Sequence, residues 1–120
     1  MTTRKDATFK RGETIRLRFV LHGPTNAILP IAVDDELQFR FVKGSTIYLL
    51  LEREDMTITD AAAGEVDVTL DDSVMDVVQV PSKGSFNYEF WYRSPILGDS
   101  CQAEGTITLE KSLKETFPVP

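Results

Sequence analysis

Strict alternation of apolar and polar residues, broken by single glycines and prolines, constrains this chain more than any other feature. Residues 14–21, Thr-Ile-Arg-Leu-Arg-Phe-Val-Leu, set Ile15, Leu17, Phe19 and Leu21 on one face and Arg16 and Arg18 on the other, as a half-buried strand requires. Residues 36–42 repeat the pattern with Leu37, Phe39 and Phe41, and Lys43-Gly44-Ser45 then supplies a hairpin turn into 46–52. In that second arm Ile47, Tyr48, Leu49, Leu50 and Leu51 are apolar on both faces, which predicts a strand covered on both sides or an exposed contact surface at Tyr48 and Leu50. Residues 56–59 and 65–70 predict a further strand pair around Asp60-Ala-Ala-Ala-Gly64.

Asp71-Asp72-Ser73 ahead of Val74 and Met75 reads as an N-cap and a short helix, ended by Pro81 and Gly84. Residues 85–92 place Phe86, Tyr88, Phe90 and Tyr92 on one face of a central aromatic strand, with Trp91 opposite. A loop over 93–100 leads to a last strand at 101–109, with Ala103, Gly105, Ile107 and Leu109 on one face and Gln102 and Glu104 on the other. Between the first two strands, Gly23-Pro24, Asn26 and Pro30 predict a crossing loop over 22–35 that pins Ile28, Leu29, Ile31 and Val33 on the core.

About seven strands with one short helix predict an all-β antiparallel sandwich rather than a parallel α/β layout. The division expected is an N-terminal arm at 1–6, the sandwich at 7–110 and a C-terminal tail at 111–120, whose Phe-Pro-Val-Pro ending cannot pair inside a sheet. At 120 residues one domain buries roughly 65% of its unfolded surface, enough for a core without metals or disulfides.

The net charge of −6 argues against nucleic acid and anionic membranes as partners, and no run approaches the length of a membrane span, so a soluble protein made in the cytosol is expected. Arg4, Lys5, Lys10, Arg11, Arg16 and Arg18 concentrate positive charge in the first eighteen residues, as a docking face or as a solvated terminus and strand face. One His and one Cys are too few for a zinc site, and a disulfide within the chain is impossible. The acidic groups Asp34-Asp35-Glu36, Glu52 with Glu54-Asp55, and Asp71-Asp72 lack calcium-loop glycines and read as turn carboxylates and a helix cap. His22 has no nucleophile motif near it, and Cys101 has no neighbouring cation to activate it, so it reads as an inert inward residue. No enzyme, cofactor, metal or small-molecule substrate is expected.

Four blocks carry a resemblance: Phe9-Lys-Arg-Gly-Glu-Thr-Ile-Arg-Leu, Ile31-Ala-Val-Asp-Asp-Glu-Leu-Gln-Phe-Arg-Phe, Met56 through Leu70, and Gly84-Ser-Phe-Asn-Tyr-Glu-Phe. In order and spacing they resemble the small immunoglobulin-like structural proteins of tailed bacteriophages and prophages, a group that includes the N-terminal domain of phage baseplate upper proteins. The resemblance covers about residues 7–110 and differs in having Gly98 alone as a glycine turn in 93–100. It implies an immunoglobulin-like sandwich acting in a virion, in a tail, baseplate, fibre attachment or capsid surface, assembled in the host bacterial cytoplasm. The implied partners are other virion proteins and further copies of itself in a homo-oligomer or symmetric array.

Interface candidates follow from the residues themselves. Trp91 lies opposite the filled core face, either as a contact or covered by the 22–35 loop. Tyr48, Leu50, Arg16 and Arg18 are further candidates, and Phe117 in the tail is a possible plug for a neighbouring subunit. A different class of function, a receptor- or carbohydrate-binding module, would use Trp91, Tyr92 and Tyr48 as an exposed aromatic platform.

Overall fold

The structure, a computed structural model, describes residues 3–77, 81 and 83–110. The chain forms a two-layer all-β sandwich. Its elements are β1 (Thr3–Arg4), β2 (Ala7–Lys10), β3 (Ile15–Val20), β4 (Glu36–Lys43), β5 (Thr46–Glu52), a 3-10 turn (Arg53–Asp55), β6 (Thr57–Asp60), β7 (Glu65–Leu70), α1 (Asp72–Val77), β8 (Gly84–Ser94) and β9 (Gly98–Glu110). The larger sheet has the order β1-β9-β8-β4-β5 with β2 also on β9, and the smaller has the order β3-β7-β6.

Alternation places the core where the sequence puts it. Ile15, Leu17 and Phe19 of β3 and Val66, Val68 and Leu70 of β7 face Leu37, Phe39, Phe41, Phe86, Tyr88 and Phe90 of the larger sheet, all buried. Aromatic stacking ties the layers: Phe19 lies 4.4 Å from Phe90, while Phe41 stacks on Phe86 at 4.8 Å within the larger sheet. Both expected hairpins form, β4 with β5 and β6 with β7, and β8 is central, between β9 and β4. Asp71 caps α1, its Oδ1 accepting from the Val74 amide and the Ser73 hydroxyl.

Four features differ from the sequence expectation. The segment expected as an arm at 1–6 contributes β1, and together with β2 it pairs in parallel with β9, so the sandwich is not wholly antiparallel. Gly105 permits this: a Cβ there would collide with the Lys5 carbonyl, which also accepts a 2.6 Å hydrogen bond from the Tyr88 hydroxyl. The 93–100 loop is instead mostly ladder, because β8 and β9 stay paired to Ser94 and Gly98 and only 95–97 turn. Of the four apolar residues expected under the 22–35 loop, Ile31 is buried and Leu29 packs on the core, but Ile28 and Val33 face solvent.

The fourth difference comes from two β-bulges. Between Phe90 and Trp91 the partner on β9 steps from Ala103 to Cys101, so Gln102 is the extra residue and points inward beside Ala103. Gln102 Oε1 accepts from the His22 amide at 2.9 Å and its Nε2 donates to the His22 carbonyl at 3.1 Å, which fixes the start of the crossing loop. The same step turns Cys101 out of the core, contrary to its expected inward placement. In β5 the partner steps over Tyr48, which therefore leans inward against Phe86, edge to face at 5.7 Å. As an edge strand β5 is not covered on its outer face, where Leu50 stands exposed.

Candidate binding surface

The outer face of the larger sheet carries a concavity of about 590 Å³ at the end where β4 begins and β8 ends. Gln38, Arg40, Arg53, Trp91, Arg93 and Asp99 are among the residues that line it. Trp91 sits between Gln38 on β4 and Cys101 on β9 in the ladder and is half-buried. Its indole Nε1 is fully covered with no hydrogen-bond partner among the described residues, an arrangement that costs about 1–3 kcal/mol for a buried donor.

At the rim, Arg93 is paired with acids. Arg93 grips Asp99 through two bonds, Nε to Oδ1 at 2.6 Å and Nη2 to Oδ2 at 3.1 Å, and reaches Glu36 at 3.4 Å. The hydrogen bond from Arg93 holds the Asp99 carboxyl below its usual range.

At the same sheet end, two hydrogen-bonded loops carry apolar side chains. Arg53 Nη1 donates to the carbonyls of Ala32 (2.7 Å), Val33 (3.3 Å) and Asp35 (2.7 Å), while Asp35 Oδ2 accepts from the Ala32 amide and the Tyr92 hydroxyl. Burial first, and then the bond to Asp35, pushes the Tyr92 hydroxyl pKa up. Across the end of the ladder, Ser94 Oγ accepts from the amides of Ile96 and Leu97 at 3.0 and 3.1 Å. The side chains so held remain largely in solvent: Val33 87%, Ile96 91% and Leu97 53% exposed. Glu36 pairs with Arg93 in the ladder, so the loop before β4 and the turn after β8 flank the same sheet end.

The sequence candidates separate in space. Trp91 is on the larger sheet's outer face, Leu50 on the same face at the edge, and Tyr48 packs toward the core. Arg16 and Arg18 are on the smaller sheet, where Arg18 binds Asp67 through Nε (2.8 Å) and Nη2 (3.2 Å) and Glu65 through Nη1 (3.2 Å). The Arg18 hydrogen bond lowers the Asp67 carboxyl pKa, so the charge of Arg18 is engaged within its own sheet. Tyr92 is buried in the core, so Trp91, Tyr92 and Tyr48 do not form one exposed platform. Phe117 lies outside the described residues.

Sequence reasoning missed Val33, Ile96 and Leu97, although an Ile-Leu pair between Pro95 and Gly98 is a visible signal, because apolar residues at a hairpin tip have no core to enter. It also missed a donor cluster in which atoms of Glu89, Cys101 and Glu104 lie within 4.8 Å of one another. A thiol and two carboxylates suit a borderline divalent cation, yet exposed acidic pairs across strands are common without one. Asp35, Asp55 and Asp71, from the acidic groups weighed for calcium, instead accept from nearby backbone amides. His22 is half-buried at the crossing loop.

No helix among the described residues is long and apolar enough to cross a membrane. No protein-family model matches the chain, and no curated protein matches its sequence.

Proposed function

We propose that this chain is a non-enzymatic structural protein of a bacteriophage or prophage virion, an immunoglobulin-like module that joins subunits through its larger sheet. The observation that carries the reading is that Val33, Ile96 and Leu97 stand in solvent at one end of the larger sheet, on loops already fixed by Arg53, Asp35 and Ser94. A surface ordered before contact loses little conformational entropy on binding, so its apolar area goes further toward affinity. Trp91, on the outer face at the same sheet end, adds a half-buried aromatic ring to this surface. The resemblance of the sequence blocks, in order and spacing, to phage immunoglobulin-like proteins is what suggests the virion setting, where repeated placement lets weak single contacts add up.

The test mixes the purified protein with isolated virions or their disassembled parts and follows mass by light scattering. Stoichiometric binding that Val33→Asp with Ile96→Asp abolishes supports the reading. A protein that ignores particles but is retained on a glycan column overturns it.

A further inference from the structure

Among the described residues, the larger sheet ends in an open edge at β5. Among the described residues β5 pairs only with β4, so alternate residues of Thr46–Glu52 direct N–H and C=O groups away from the molecule. Such edges are usually blunted by basic residues, by proline or by shortness. The other edges follow that rule: β3 carries Arg16 and Arg18, β2 ends on Lys10, and β6 has four residues. β5 has seven residues, no Lys, Arg or Pro, and a single charge at its terminal Glu52. Its bulge at Tyr48 leaves Leu49 through Glu52 in unbroken register. On the outer face beside this edge, Ile47 and Leu50 are 56% and 47% exposed, so an added strand would gain apolar cover as well as backbone bonds.

We propose that β5 is a self-pairing edge through which two copies of this chain join antiparallel about a two-fold axis, continuing the larger sheet across both molecules. An apolar, self-complementary stretch suits a second copy at this edge. A two-fold pairing centred on Leu50 sets Leu50 against the other copy's Leu50 and Leu49 against Leu51, within the stretch of unbroken register, so only apolar side chains meet there. The same operation on β3, centred on Leu17, opposes Arg16 to Arg18 twice. The pairing goes beyond the virion reading and does not rest on it, because a monomer retains exposed Val33 and Ile96.

The experiment is light scattering of the full chain over a range of concentrations, with amide hydrogen exchange of 46–52 measured at the two ends of that range. The expected result is a mass rising to twice that of the monomer, with exchange in β5 slowing as it rises. Leu50→Lys places two ammonium groups in opposition and raises the dimer dissociation constant about tenfold or more. Ile47→Lys, which puts a charge on the exposed apolar outer face beside the edge, acts the same way, and circular dichroism verifies that either variant is folded. Val20→Lys, on an exposed site of β3, leaves the dimer intact. A monomer at every concentration, or a dimer that Val20→Lys dissolves and both β5 variants leave intact, overturns the proposal.

Discussion

The two sheets are built from the same alternating pattern and end up chemically different. In the smaller one, β3 and β7 pair through six consecutive residues without a break, and the outward Arg18 is matched by Asp67 and Glu65. In the larger one, two bulges re-aim Gln102 and Tyr48, against one register shift between Ile58 and Asp60 in the smaller, the Trp91 indole N–H has no partner among the described residues, and Val33, Ile96, Ile47 and Leu50 remain in solvent. The difference teaches where binding capacity resides: the smaller sheet matches its outward Arg18 with acids of its own and leaves Val20 exposed, whereas the larger sheet end and edge carry several exposed apolar side chains.

What the sheets share is tested first, because their differences matter only if one core supports both. Phe90→Ala removes the ring stacked on Phe19 across the layers and is expected to cost about 3–5 kcal/mol by denaturant titration. A loss below about 1 kcal/mol would mean that the layers are not packed as one core.

The bulge at Gln102 is the next point of leverage. Gln102→Ala leaves the His22 amide and carbonyl without their side-chain partner and is expected to cost about 1–3 kcal/mol. If stability is unchanged, the bulge is not what ties the larger sheet to the crossing loop. Gly105→Ala tests the parallel strands at the opposite edge: it forces Lys5 away from β9, costs about 1–3 kcal/mol, and speeds hydrogen exchange at Ala7–Lys10 while leaving β3 unchanged.

The smallest effect is pH dependence, which reports on both sheets. Asp67 of the smaller sheet and Asp99 of the larger have carboxyls lowered below the ordinary value of 3.8, each chiefly by an arginine hydrogen bond. Their contribution is complete above the unfolded value and is lost as pH falls through the lowered folded values. Tyr88 and Tyr92 are raised above 10.0, first by burial, so their contribution is complete below that pH and is lost as pH rises through the folded values. Thermal melts should therefore be flat between about pH 4 and pH 10 as regards these groups, with a decline at each end. Asp67→Asn should soften the acid decline without moving the alkaline one.

The same contrast explains what the sequence made legible. β3, β4, β7 and β8 are readable because their alternation is local and their buried faces are large and apolar, as Phe86, Tyr88 and Phe90 illustrate. β1 and β2 were not, since Ala7 pairs with Ile107, a hundred residues away, and four residues carry too little periodicity to announce a parallel partner. Cys101 and Gln102 were misplaced because a single bulge inverts parity, and nothing in Ser-Cys-Gln-Ala marks it. Of the binding surface, Trp91 and Leu50 were visible as apolar residues on the polar side of a strand. Val33 was not, because its exposure depends on hydrogen bonds from Arg53, twenty residues further along the chain.

Hydroxyl-radical footprinting of the protein, free and bound to virion parts, tests the central claim most directly. The account predicts protection of Val33, Ile96 and Leu97 on binding, with Val20 and Ile58 of the smaller sheet labelled as in the free protein. Protection confined to Val20 and Ile58, with Val33, Ile96 and Leu97 still labelled, would contradict it.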